Sequence, residues 1–136
     1  MTKTGTGRLK VRKAQLQLYL VLLLSLSITA IFLLPFCNWM YKCGCAVLWG
    51  GGADLCNVHR PGVPHCPWCV ARKPALMAAH FIALFAGQAG AIYAFRKKYG
   101  LAEVWLLVAG VLVFCGLAVV DGFIFKTLDR YPYFFI

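Results

Sequence analysis

The chain has 136 residues, of which 62% are hydrophobic and only 13% are charged, and its formal net charge is +10 at pH 7. A soluble domain carries roughly 25% charged residues, and one of this size could not bury so much apolar surface. The positive charges lie in several short segments without a stripe of interleaved aromatic residues. We therefore expect them to mark membrane topology beside anionic lipid, and we expect no nucleic-acid partner.

Three apolar runs dominate the chain, at 18–36, 75–95 and 104–125. Each approaches or exceeds the roughly 18 to 20 residues that an α-helix needs to cross the hydrocarbon core of a bilayer. No run shows the alternation that is typical of the strands of a membrane barrel. We therefore predict an all-α integral membrane protein in which a single domain, 1–136, contains three transmembrane helices.

The first element is a basic tail, 1–17, followed by the helix at 18–36. Ser25, Ser27 and Thr29 interrupt the apolar run, but their hydroxyls can bond to carbonyls of the preceding helical turn. The junction that follows, Leu34-Pro-Phe-Cys37, lacks the small residues of a signal-peptide processing site. We therefore predict that this run is an uncleaved membrane anchor.

The next element is an irregular loop, 37–74, which contains six of the seven cysteines and two of the three histidines. Thiols at this density are paired in disulfides, bound to metal or redox-active. On an oxidising face of the membrane, three disulfides would hold together a loop that has no core of its own, in one of fifteen connectivities. The disulfide candidates are Cys37, Cys43, Cys45, Cys56, Cys66 and Cys69.

A metal site is the second interpretation of this loop. Cys56-x-x-His59 and Cys66-x-x-Cys69 each have the two-residue gap that lets both side chains reach one ion. Three cysteines with one histidine form a recognised structural zinc set, and the same ligands suit copper(I) or an iron–sulfur centre. The alternative for His59 is a solvated loop residue.

Thiol chemistry is the third interpretation. Cys66-Pro-Trp-Cys69 has the spacing of dithiol redox sites, and Arg72, Lys73 and the start of the next helix would lower the pKa of a thiol. In that case Cys66 and Cys69 would be the catalytic pair of a thiol–disulfide oxidoreductase. The spacing also recurs in metal-binding knuckles, so the three interpretations remain open.

The second helix, 75–95, is rich in small residues. Ala83-x-x-x-Gly87 and Ala86-x-x-x-Gly90 predict faces on which neighbouring helices pack closely. Gln88 is predicted to form a hydrogen bond across the bundle.

A turn at 96–103 leads into the third helix, 104–125, which carries an acidic residue, Asp121, within its apolar run. Asp121 and His80 of the second helix lie at similar depths, roughly 7 Å below the outer ends of two antiparallel helices, so we predict that they face each other. The pair would be structural, or His80 would bind a metal or haem or contact the headgroup of a quinone. Cys115 is predicted to be a buried apolar residue.

The orientation follows from the basic residues beside the helix ends. Eight of the 14 Lys and Arg residues lie in 1–17 and 96–103, which predicts that both segments face the cytoplasm. The loop 37–74 and the carboxyl-terminal tail 126–136 then face outward. This tail is aromatic, and exposure of its last apolar residues to water would be unfavourable. This predicts contact with the membrane interface or with a partner subunit.

Together these features favour a non-enzymatic role, as a small accessory or assembly subunit of a larger membrane complex. The disulfide-bonded or metal-binding loop would be its docking surface. The Ala/Gly face of the second helix and the aromatic tail would contact other membrane subunits, and the lipid bilayer would surround the rest. The alternatives are a thiol–disulfide oxidoreductase with a quinone partner, and delivery or sensing of zinc or copper.

Overall fold

The computed structural model describes the backbone of residues 4–69 and 74–135 and the side chains of 12–69 and 78–135. Within these ranges the chain forms three α-helices and no strand. The helices are α1 (Thr4–Tyr41), α2 (Pro74–Tyr99) and α3 (Glu103–Asp129), and two short 3-10 turns, Leu48–Gly50 and Asn57–His59, lie between α1 and α2. The predicted effect of Arg72 and Lys73 on a thiol falls outside the described residues.

Each helix contains a stretch that is long and apolar enough to cross a membrane, which confirms the predicted helical class and the predicted apolar runs. These stretches are Arg12–Tyr41, Ala78–Tyr99 and Glu103–Asp129. Helix α1 is longer than the predicted span, because it begins in the basic tail and continues through Pro35 to Tyr41. Cys37 is therefore a helical residue, whereas the sequence placed it at the start of the loop.

Helix α3 packs against the other two helices through a narrow stripe. Every fourth residue of this stripe is buried: Leu106, Gly110, Phe114, Ala118 and Gly122. A Cβ atom at Gly110 would lie 2.6 Å from the side chain of Ile92 on α2 and 2.8 Å from the hydroxyl of Ser25 on α1. The three helices therefore approach closely at Gly110, where α3 has no side chain to separate them.

Polar side chains join the helices at the same level. Gln88 is fully buried, donates a hydrogen bond to the hydroxyl of Ser25 at 2.7 Å and accepts one from Thr29 at 3.0 Å. Thr29 also contacts the carbonyl oxygen of Ser25 at 3.0 Å, one turn earlier in its own helix. These bonds confirm the predicted role of Gln88, and they show that the hydroxyls of α1 also serve contacts between helices.

The small residues of α2 divide between two surfaces. A Cβ at Gly87 would lie 2.7 Å from the side chain of Leu117, so Gly87 packs against α3. The other members of the predicted packing faces are exposed on the outside of the bundle: Ala83, Ala86 and Gly90. The inward stripe of α2 consists instead of His80, Leu84, Gln88 and Ile92.

The described part of the carboxyl-terminal tail, 130–135, folds back over the end of α1. Arg130 adopts a left-handed conformation with φ of 51° that ends α3 and turns the chain. The amide of Phe135 then donates a hydrogen bond to the carbonyl of Met40 at 2.9 Å, and the rings of Tyr131 and Tyr41 meet edge to face with centroids 5.6 Å apart. The aromatic tail therefore covers the core at the end of the bundle that holds the loop.

Candidate metal centre

Six cysteine side chains converge at the loop end of the bundle. The Sγ atom of Cys37 lies 3.3 Å from that of Cys66 and 3.6 Å from that of Cys43. Cys43 in turn lies 3.4 Å from Cys45, and Cys45 lies 3.7 Å from Cys69. Cys56 joins the same cluster through Cys43 and Cys45. We call these six residues the thiol centre.

The thiol centre is organised in three groups of three sulfurs, and within each group all the sulfurs lie within 4.8 Å of one another. The groups are Cys37/Cys45/Cys69, Cys37/Cys43/Cys66 and Cys43/Cys45/Cys56. Cys37, Cys43 and Cys45 each belong to two groups, and the other three belong to one each. The amino-terminal cysteines therefore form the middle of the centre.

The end of α1 and the turn after it position these three central thiols. Cys37 projects from the last turns of α1, and the backbone then passes through two left-handed residues, Lys42 with φ of 50° and Gly44 with φ of 86°. The amide of Gly44 donates a hydrogen bond to the side chain of Asn38 at 2.7 Å. A Cβ at Gly44 would lie 2.7 Å from the carbonyl oxygen of Leu55, so only glycine allows this close approach of the two loop segments.

Asn57 joins the two halves of the loop. Its amide donates a hydrogen bond to the carbonyl of Cys43 at 2.6 Å, and its side-chain oxygen accepts one from the amide of Cys66 at 2.9 Å. Its side-chain nitrogen donates to the carbonyl of Pro64 at 2.9 Å and to the hydroxyl of Tyr131 at 2.7 Å. One asparagine thus sets the register between two cysteine-bearing segments and attaches the tail to them.

The Cys66-Pro-Trp-Cys69 segment forms a tight turn in which the amide of Cys69 bonds to the carbonyl of Cys66 at 3.0 Å. The turn directs its two sulfurs into different groups of the thiol centre. Between them, Trp68 is 2% exposed and packs edge to face on Tyr41, with centroids 5.8 Å apart. The indole therefore packs this turn against the end of α1.

Water has little access to the thiol centre. Five of its six cysteines are at most 2% exposed, and Cys69 is half-buried. Burial raises the pKa of the Cys56 thiol to about 11, whereas hydrogen bonding with the thiol of Cys37 lowers the pKa of Cys43. Ionisation is thus opposed at Cys56 and favoured at Cys43, and a bound cation would stabilise the thiolate form of its ligands.

All seven cysteines lie in the described part of the chain, and no pair of them is at the distance of a disulfide bond. The sulfurs of the thiol centre are at least 3.3 Å apart, compared with about 2.05 Å in a disulfide. Thiolates bound to one zinc ion at about 2.3 Å and tetrahedral angles lie roughly 3.7 Å apart. Each group of three sulfurs is compact enough to hold a metal ion.

The structure places the histidines of the predicted metal set at the edge of this site. Cys56, Cys66 and Cys69 all belong to the thiol centre, whereas His59 is exposed and is not a member of the three thiol groups. His65 is also exposed, and its ring nitrogen lies 3.1 Å from the carbonyl oxygen of Arg60. The ligand spacing in the sequence thus indicated half of the thiol centre. The close spacing of Cys43-x-Cys45 was the signal for two of the other three cysteines, and no ligand spacing marked Cys37.

An apolar cavity of about 320 Å³ borders the thiol centre on one side. Cys37 and Cys69 form its floor, and the imidazole of His59 is the polar group at its wall. The remaining wall residues come from α1, the loop and α2: Leu33, Leu34, Ala53, Val58, Trp68 and Phe81. Two thiols of the centre are therefore reachable from an apolar space.

His80 and Asp121 lie beside Trp68, and the ring centroids of His80 and Trp68 are 5.8 Å apart. The structure brings them within electrostatic range of each other, and Asp121 is also within reach of the indole of Trp68. The imidazole is enclosed by aromatic rings, with the centroid of Phe81 at 3.9 Å and that of Phe125 at 5.0 Å. This polar pair thus connects α2 to α3 directly below the loop.

The arrangement can bind a soft metal ion, or it can lose electrons to form a disulfide, because thiolates are both good ligands and good reductants. A comparison with known protein families, curated proteins and solved structures finds no match to this chain.

Proposed function

We propose that this protein is a membrane-anchored metal-binding protein whose thiol centre holds a soft metal at one membrane face. In this role it serves a larger membrane complex, as an accessory or assembly factor that stores or delivers the metal. The observation that carries the proposal is the spacing of the sulfurs at a site closed to water: five lie 3.3 to 3.7 Å from their nearest neighbours, and that of Cys56 lies within 4.8 Å of those of Cys43 and Cys45. This spacing suits shared metal ligation.

Burial supports metal binding over a set of free thiols. Hydrogen bonds between thiols contribute little to stability, because sulfur is a weak donor and a weak acceptor. Packing against the apolar core at this end of the bundle stabilises the loop, and a disulfide or a metal ion would add to that stability. Since no sulfur pair is at bonding distance among the described cysteines, metal ligation accounts best for their convergence.

Three helices that are long and apolar enough to cross a membrane support the membrane anchoring in this proposal. We place the amino terminus in the cytoplasm and the thiol centre on the outer face, in accordance with the distribution of basic residues. The exposed small residues Ala83, Ala86 and Gly90 support a contact with another membrane subunit, because such residues let helix backbones approach. Reporter fusions at the two termini test the topology, and we expect signals from opposite faces.

The metal proposal is tested by purifying the full chain in detergent under anaerobic, reducing conditions and measuring bound copper and zinc by elemental analysis. We expect at least one metal ion per chain. A variant with serine at all six positions of the thiol centre should bind none. Cys115→Ala is the matched control, because Cys115 lies on α3 outside the three thiol groups, and it should bind as much metal as the native chain.

Two results would contradict this proposal. One is a native chain that carries no more metal than the variant with six serines. The other is a count of one free thiol without reductant and seven with it, which would mean that the thiol centre forms three disulfides.

The apolar cavity favours a second candidate, a thiol–disulfide oxidoreductase. Its floor presents Cys37 and Cys69 to a space that suits the ring of a quinone. In this reaction two thiols lose two electrons and two protons to form a disulfide, and the quinone becomes a quinol. Mixing reduced, metal-free protein with a water-soluble quinone tests it, and an unchanged thiol count after incubation would exclude it.

A further inference from the structure

We propose that the thiol centre holds a cluster of three copper(I) ions, with Cys37, Cys43 and Cys45 as bridging ligands. This inference rests on the proposed function, since it specifies which metal the centre binds and how many ions it takes. Each of the three thiol groups would bind one ion. The ligands that belong to a single group, Cys56, Cys66 and Cys69, would each bind one ion at the outside of the cluster.

The way in which the groups share sulfurs carries the argument. Any two groups have one sulfur in common: Cys37, Cys43 or Cys45. Ions placed in the three groups would therefore alternate with these three sulfurs in a closed ring. A single ion cannot use this arrangement, because six sulfurs exceed the four ligands of a tetrahedral site.

The number of sulfurs in each group favours copper(I). A structural zinc ion takes four protein ligands, and each group offers three sulfurs. His59 and His65 are the histidines of the loop, and both are exposed at its surface rather than placed as a fourth ligand. Copper(I) is selected by thiolates and is satisfied by three of them in a plane.

Charge also favours several ions over one. Six thiolates would bring six negative charges to a site where five of the side chains are at most 2% exposed. Unpaired buried charge is costly, so each additional cation in the cluster lowers the electrostatic penalty. Three copper(I) ions neutralise half of that charge, whereas one ion leaves most of it.

The test is an anaerobic titration of the full chain in detergent micelles with copper(I), followed by native mass spectrometry. We expect the spectrum to pass from the metal-free chain to a three-copper species with little one-copper intermediate, because bridging sulfurs make binding cooperative. X-ray absorption of the loaded protein should show copper bound to sulfur with a short copper–copper path. Saturation at any number other than three, or the absence of that path, would overturn the proposal.

A pair of variants tests the assignment of bridging ligands. Cys45→Ser removes a sulfur shared by two groups, and Cys56→Ser removes one that belongs to a single group, while both side chains are equally buried. We expect the first variant to lose two ions at saturation and the second to lose one. Equal losses would overturn the assignment. The native chain's copper–copper path remains informative if either variant fails to fold.

These outcomes are distinguishable from failure of the proposed function. If the native chain binds no more metal than the variant with six serines, the function itself is wrong. If it binds copper or zinc as isolated ions, the function stands and the cluster is wrong.

Discussion

Replacing Asn57 with alanine should open the thiol centre without removing any of its sulfurs. The substitution leaves the amide of Cys66 without its partner and removes the hydrogen bond that Tyr131 accepts. The hydroxyl of Tyr131 keeps its bond to the carbonyl of Tyr41 at 3.1 Å, so the tail is weakened rather than released. The carbonyl of Pro64 also loses its bond to Asn57, a bond that lies at the surface, so three polar groups lose a partner and two of them are partly buried.

The magnitude follows from the cost of buried polar groups that lose their hydrogen bonds, about 1 to 3 kcal/mol each. The bond to Pro64 is exposed, so we count only the two partly buried groups, at about 1 to 1.5 kcal/mol each, and expect about 2 to 3 kcal/mol in total. This cost lowers the free energy of local opening of the loop. The population of the open state should therefore rise by a factor of about 30 to 150.

The assay is the rate at which a bulky thiol reagent modifies the reduced, metal-free protein in detergent. When opening and closing are fast relative to labelling, this rate is proportional to the open population. Asn57→Asp is the matched control, because it keeps the acceptor for the amide of Cys66 and loses only the donated bonds. We expect an intermediate rate for it. An alanine variant that is labelled within threefold of the native rate would refute this account of Asn57.

Three further substitutions test the packing of the chain. Gly44→Ala places a side chain on a left-handed backbone, 2.7 Å from a backbone carbonyl, so it should lower the free energy of unfolding by at least about 1 kcal/mol and reduce metal loading. Unchanged loading would show that the two loop segments can separate. Gly110→Ala adds a methyl 2.6 Å from a side chain of α2, which should lower the melting temperature in detergent by several degrees. Gly116→Ala, whose methyl meets no atom within 4 Å, should leave the melting temperature unchanged, and equal shifts would contradict the close helix contact. Gln88→Leu removes two hydrogen bonds between helices, and we expect the free energy of unfolding in a denaturing detergent to fall by about 0.6 to 1.7 kcal/mol. A gain in stability would count against the polar contact.

The residues of the site differ in how far the sequence could reveal them. The spacing of Cys56, Cys66 and Cys69 indicated a shared site, because short gaps bring side chains together whatever the rest of the fold does. Cys37 was assigned to the loop because the apolar run ends at Phe36, yet α1 continues to Tyr41. Asn57 carried no signal at all, because its four bonds join segments that are distant in sequence.

The sequence by itself determined that the chain has three apolar helices and a loop dense in thiols, because hydropathy over roughly 20 residues is a local property that composition reveals directly. Only the tertiary structure decided which sulfurs meet. Cys37 and Cys66 are 29 residues apart and their sulfurs lie at 3.3 Å, a proximity that depends on the left-handed turn at Gly44, on the side-chain bonds of Asn57 and on the tail packed over Tyr41. Such long-range contacts arise from the sum of many turn and packing choices, and no single stretch of sequence contains them.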